Sequence, residues 1–188
     1  MNKNNIGLVE YAKSMVGHPY WYGCYGQIST KKLYQAKKKQ YPKMYEWSLP
    51  QSQLGVRVFD CVGLIKGYLW TENGKVTYKK TQDVSANGMY DRCTKKGKIN
   101  SMPNVIGTLV FKDGHVGVYI GNGYVIEARG HAYGVVKTLL KDRGWTKWGF
   151  CPYMDYITPE TPKKENRTDK KDNKSTVSYY PKYKGLSV

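Results

Sequence analysis

Apolar residues Leu8, Tyr11, Ala12 and Met15 recur at helical spacing and Gly17 is a natural stop, so a first helix is predicted there. The following stretch, His18-Pro19-Tyr20-Trp21-Tyr22-Gly23, is too aromatic and too punctuated to continue it. Ser29 to Gln40 reads as a short basic helix ended by Pro42. From Asp60 the helical period returns, with Leu64, Ile65, Tyr68 and Leu69 on one side, and Ser85 to Lys96 is expected as a third such segment closed by Gly97. The period then changes to two. Strands are expected at 107–111, 115–120, 124–128, 135–139 and near 145–151. Helices first and an antiparallel sheet afterwards predict an α+β domain over residues 1–157.

Residues 158–188 break this pattern, with almost nothing apolar before Val177. Pro159, Pro162 and mixed charges mark a solvated basic linker, and the closing Tyr-Tyr-Pro-Lys-Tyr-Lys-Gly reads as the start of a truncated wall-binding module.

Composition narrows the class. Lys and Arg total 31 against 14 Asp and Glu, a net +17, of which +4 lies in 158–188. Such a field attracts polyanions or serves solubility. No zinc-finger spacing, helix-turn-helix pattern or RNP-like strand points to nucleic acid. No run approaches the roughly 18 apolar residues that span a bilayer. Four cysteines in 188 residues are too sparse for a disulfide scaffold. None has metal-ligand spacing to another Cys or His, so neither a metal nor a cofactor is expected. The amino terminus lacks an apolar h-region and a cleavage site, and a monomer is expected.

Candidate chemistry begins at Phe59-Asp60-Cys61-Val62-Gly63-Leu64-Ile65. Asp60 is a good N-cap, which puts Cys61 in the first helical turn, where unpaired N–H groups and the dipole favour a thiolate. The plain alternative is a small buried hydrophobe. Cys24, Cys93 and Cys151 lack such a setting, and no disulfide is predicted.

A thiolate enzyme needs a base and a group that orients the base. His115 starts a strand directly after the turn Asp113-Gly114, and the chain reverses at Gly121-Asn122-Gly123. A three-residue loop there sets Gly117 opposite Glu127, so that His115 and Glu127 share a face on a diagonal about 7–8 Å apart. A two-residue Asn122–Gly123 loop moves Glu127 to the opposite face, so the catalytic reading requires the odd loop. On that reading Cys61 is nucleophile, His115 base and then acid, and Glu127 the orienting carboxylate that favours a thiolate–imidazolium pair. Arg129 shares their face and either receives a substrate carboxylate or pairs with Glu127. Trp145 and Trp148 are read as packing the sheet, His18 as bordering the cleft and His131 as surface loop.

These motifs together resemble the NlpC/P60 family of papain-like peptidoglycan endopeptidases. The carriers are His18 to Gly23, Phe59 to Ile65 and Gly107 to Ala128, within a match over roughly 5–155. The resemblance implies a papain-like fold and hydrolysis of a stem-peptide bond in bacterial peptidoglycan, commonly after D-glutamate. It matches Cys61 to the nucleophile, His115 to the base and Tyr20 to a cleft-lining tyrosine; Tyr22 and Trp47 are further substrate-binding candidates. Glu127 departs from the more frequent third His, and Val62 from the usual Ser. The stretch 25–56 is longer than the family usually carries, with six Lys, one Glu, Tyr34, Tyr41, Tyr45 and Trp47. It is either a substrate-facing flap for anionic wall polymers or a surface insertion. Two other readings stay open: a CHAP-type amidase, since those enzymes often use Glu, and a catalytically inactive wall-binding module. With no export signal, release by a phage holin-like route, or export within a longer protein, is expected.

Overall fold

The computed structural model describes residues 2–157, and the expected linker and partial module at 158–188 lie outside the described residues. Helix α1 (Asn5–Ser14) is capped by Asn4, whose side chain accepts from the Gly7 N–H. Strand β1 (Tyr25–Ile28) leads to α2 (Lys31–Gln40), capped by Thr30, and then to β2 (Arg57–Phe59), which pairs antiparallel with β1. Helix α3 (Cys61–Trp70) follows at once, with Asp60 as its N-cap. A small hairpin, β3 (Thr71–Glu72) and β4 (Lys75–Val76), leads to α4 (Ala86–Arg92).

The remaining strands are β5 (Lys96–Lys98), β6 (Leu109–Lys112), β7 (His115–Gly121), β8 (Tyr124–Ala128), β9 (Val135–Leu139) and β10 (Lys147–Gly149). They form one six-stranded antiparallel sheet in the order β5-β10-β6-β7-β8-β9. The helices cover one face of it. Leu8, Val9 and Ala12 of α1 and Leu64, Ile65 and Leu69 of α3 join Val116, Val118, Ile126 and Ala128 in one buried cluster. On the other face, Val110, Tyr119, Val125 and Trp145 form a second cluster. No helix among the described residues is long and apolar enough to cross a membrane.

The third predicted helix is shorter than its sequence pattern. It stops at Arg92, and Lys96–Lys98 pairs with β10 as an edge strand. Gly97 permits that pairing because a Cβ there would lie 3.0 Å from the Trp148 indole nitrogen. Tertiary pairing has overridden local helical spacing at this point.

The β7–β8 turn contains both of the loops weighed from the sequence. Gly121 pairs with Tyr124 around a two-residue Asn122–Gly123 turn, in which both residues have positive φ, +51° and +73°. That is the primed turn geometry favoured in hairpins. A bulge between Tyr119 and Gly121 then restores the other register, with Tyr119 opposite Val125 and Val118 opposite Ile126. The inserted residue cancels the one-residue slip, so Glu127 lies on the His115 face even though the turn is even.

Candidate active site

Asp60 fixes the geometry around Cys61. One carboxylate oxygen accepts from the Gly63 N–H at 2.6 Å and the other from the Gly23 N–H at 2.9 Å. The Asp60 N–H in turn donates to the Cys24 carbonyl at 2.8 Å. The aromatic loop 20–24 is thereby tied to the start of α3. Burial raises the pKa of Asp60, while the two backbone donors and the nearby Lys66 oppose that rise.

Cys61 is half-buried in the first turn of α3, and its thiol donates to the Gly114 carbonyl at 3.8 Å. Burial pushes the thiol up to about 12, the Asp60 charge adds to the effect, and N–H groups of Val62, Val116 and Cys61 oppose it without prevailing. The helix-start donors expected to favour a thiolate are therefore present, but desolvation and Asp60 outweigh them. Burial and Asp60 thus favour the thiol, against the helix-start donors that favour the expected thiolate.

His115 is the first residue of β7, just past the Asp113-Gly114 turn. Asn87 of α4 holds that turn: its amide donates to Asp113 at 2.9 Å and its oxygen accepts from the Gly114 N–H at 2.9 Å. The His115 ring stacks on Trp145, with centroids 5.5 Å apart and planes 9° apart. Gly117 makes room for that indole, since a Cβ there would come within 3.1 Å of it. The Nε2 atom of His115 is 2.7 Å from Glu127 Oε2. Donation of Nε2–H to this carboxylate leaves the Nδ1 lone pair as the ring's base.

Glu127 is fully buried, and donors surround it. Thr138 Oγ1 donates to Oε1 at 2.8 Å, Arg143 Nε to Oε1 at 2.6 Å and Arg143 Nη2 to Oε2 at 3.0 Å. Burial alone would raise its pKa, but the bonds from His115, Arg143 and Thr138 together bring it down to about 2. Arg143, Thr138 and Asn87 escaped the sequence reading. Arg143 and Asn87 lie in or beside loops and carry no periodic signal, whereas Thr138 shares a face of β9 with Val136, opposite Val125 and Glu127 of β8.

Cys61 and His115 line one cleft of about 750 Å³, together with Tyr20 and Tyr22. Burial, followed by the proximity of Cys61, raises the Tyr20 pKa, so its phenol stays neutral beside the sulfur. Two other candidates stand apart from this cleft. Trp47 packs with Trp21, Tyr34 and Tyr45 in a separate aromatic cluster and stacks on His131 at 3.9 Å. It lines a different groove, with Tyr34, Tyr45 and Leu49. The Arg129 guanidinium lies 3.9 Å over the Tyr133 ring, and the partner of Glu127 is Arg143 instead. His18 is also absent from the cleft lining, its Nδ1 being 3.1 Å from the Met15 carbonyl.

A helix-start cysteine and a strand-start histidine facing one cleft of an α+β domain form a papain-like arrangement. Residues 42–153 match the model of the NlpC/P60 family, more than half of the sequence, and the chain belongs to that family. The matched span begins later than the resemblance at 5–155, leaving Tyr20, Tyr22 and α2 before it. Among proteins of curated function, none matches.

Similar solved structures include NlpC2 from Trichomonas vaginalis, 16% identical over 81% of this chain and 47% of that one, with a TM-score of 0.46. The peptidoglycan hydrolase RipB from Mycobacterium tuberculosis is 20% identical over 81% of this chain and 67% of its own, with a TM-score of 0.46. The P60 domain of an antigen from M. avium subspecies paratuberculosis is 21% identical over 80% of this chain and 98% of its own, with a TM-score of 0.44. The chain thus spans about half the length of the Trichomonas protein.

Proposed function

We propose that this protein hydrolyses a peptide bond within peptidoglycan stem peptides, with Cys61 as nucleophile, His115 as base and then acid, and Glu127 as the group that orients His115. The observation that carries this reading is the His115 ring pinned by Glu127 on one edge and Trp145 on one face, in the same cleft as Cys61. A structural histidine needs no such four-donor carboxylate behind it.

The steps follow from the resting thiol. His115 Nδ1 takes the Cys61 proton as sulfur attacks the scissile carbonyl carbon, so charge develops on the carbonyl oxygen and on the imidazolium together. Backbone N–H groups at the start of α3 and the neutral Tyr20 phenol supply donors for that oxygen. The imidazolium passes its proton to the leaving amine, and the C–N bond breaks to give a thioester. Water then loses a proton to His115 and attacks the thioester, releasing the carboxylate product and returning the proton to sulfur. Glu127 stays ionised throughout and stabilises the imidazolium. Cleavage after D-glutamate is the bond this reading favours, through the resemblance of the motifs.

Mass spectrometry of the soluble fragments released from purified walls tests the proposal. A new amino terminus within the stem, lost in Cys61→Ala, is the expected result. Intact stems freed from muramic acid would replace it with the amidase reading that Glu127 also permits. Walls left intact by the wild-type chain, yet co-sedimenting with it, would leave a binding module.

A further inference from the structure

Helix α2 lies before the span matched to the family, and one of its lysines reaches the cleft. Lys31, Lys32, Lys38 and Lys39 are exposed along α2, whereas Lys37 is half-buried and lines the cleft with Gln40, Tyr41, Tyr22 and Cys61. Its place is set by Gly23, whose φ of +74° no L side chain readily adopts. A Cβ at Gly23 would meet Tyr41 at 2.7 Å and Lys37 Nζ at 3.3 Å. The same Gly23 donates its N–H to Asp60, the N-cap of the Cys61 helix. The ammonium therefore sits one backbone layer from the cap that positions the nucleophile.

Charge accounting around the cleft singles out this lysine. Lys66 is paired with Asp83 at 2.5 Å. Both oxygens of Asp60 are occupied by backbone N–H groups. Among the described residues Lys37 has no carboxylate within ion-pair distance; its contacts are a long 3.4 Å bond to Gln40 Oε1 and the Tyr41 ring at 5.6 Å. Its charge reaches Asp60 and Asp83 only at longer range, and a half-buried cation that lines a cleft without a contact ion pair is suited to an anion brought by the ligand.

We infer that Lys37 binds a free carboxylate of the substrate beside the scissile bond, and so selects acidic over amidated stem peptides. The inference rests on the proposed stem-peptide reading. A D-glutamyl residue linked through its side-chain carboxyl leaves its α-carboxylate free next to the bond to be cut, and amidation of that group removes the charge while keeping the shape.

The test separates binding from turnover. In the full chain carrying Cys61→Ala, the dissociation constant is measured by calorimetry for a stem tripeptide with γ-linked D-glutamate, its α-carboxyl either free or amidated. The acid form is expected to bind about tenfold more tightly, the scale of a hydrogen bond to a charged group. Adding Lys37→Met brings the ratio to about one, while Lys37→Arg retains the preference. Equal binding of both peptides by Cys61→Ala, a preference that survives Lys37→Met, or no binding of either overturns the inference. If Lys37 served only as a distant counter-charge for Asp60, its loss would change both peptides alike. Stem cleavage by the wild-type chain without an acid preference sinks this inference alone, whereas acid preference without cleavage sinks the proposed function alone.

Discussion

His115 Nε2 and Glu127 Oε2 lie 2.7 Å apart, and Arg143 grips the same carboxylate from its other side at 2.6 and 3.0 Å. Glu127 has no exposed surface, so its charge persists because each oxygen has two donors. With the carboxylate ionised, Nε2 carries a proton toward it and Nδ1 is the ring nitrogen left to accept one. Three separate elements supply this unit: β7 the ring, β8 the carboxylate, and the segment after β9 the guanidinium.

Replacing Glu127 by Gln keeps the shape but turns one acceptor oxygen into a donor facing donors. Arg143 loses its counter-charge, and the imidazolium loses its stabilising anion. Wall-hydrolysing activity is expected to fall on the order of 10²–10⁴-fold, the scale of losing an orienting carboxylate. Unfolding free energy is expected to drop by about 3–5 kcal/mol through the broken buried pair. Urea denaturation and fragment release from walls measure the two effects separately. A variant as active as wild type would remove Glu127 from the mechanism.

Acid stability reports on the same carboxylate. Its folded pKa of about 2 lies below the ordinary 4.5, so its contribution is complete above pH 4.5 and fades as pH falls toward 2. The shift is worth roughly 3 kcal/mol by linkage. Wild type is expected to lose that much more stability than Glu127→Gln between pH 5 and 2, measured by urea unfolding at each pH. Parallel pH curves for the two proteins would contradict the depressed pKa.

The sequence made the scaffold of this site readable and left its supports hidden. Asp60 as N-cap and Cys61 in the first turn follow from side-chain chemistry within a few residues, and α3 begins there. The His115–Glu127 face follows from strand alternation, but the means differ. The turn is the even one, and a bulge near Ile120 restores the register, a compensation that turn residues alone do not reveal. Arg143 lies beyond any local period, because what places it is the return of the chain to β10 after β9. The balance of effects on the Cys61 thiol is only half legible for a related reason. Helix-start donors are local and legible, while burial, which opposes them, depends on the tertiary structure around the cleft.

A thiol held at about 12 by burial and Asp60 gives a distinct reactivity profile. Its thiolate fraction should rise about tenfold per pH unit across the neutral range. Alkylation of Cys61 by iodoacetamide, followed site by site in mass spectra, is therefore expected to climb steadily from pH 6 to 9. A preformed ion pair would instead give a rate that levels off below neutrality. A plateau in that range would show a resting thiolate instead.

Gly63 is where helix propensity and site assembly disagree. It sits in the first turn of α3, where Ala would ordinarily gain up to about 1 kcal/mol over Gly. A Cβ at this position, however, would stand 1.9 Å from the Cys24 carbonyl oxygen and 2.8 Å from Asp60 Oδ1. Neither is the free end of a flexible chain: the carbonyl is backbone and accepts the Asp60 N–H, and the carboxylate oxygen accepts the Gly63 N–H. Relief requires α3 and the 20–24 loop to separate, which breaks the cap and withdraws Tyr20 and Tyr22 from Cys61. Overpacking of this kind costs about 1–3 kcal/mol, which exceeds the propensity gain. Gly63→Ala is thus expected to lower the thermal midpoint and to depress wall hydrolysis well beyond the loss of folded protein. A midpoint raised by the substitution would mean that the loop and helix are not in the close contact described.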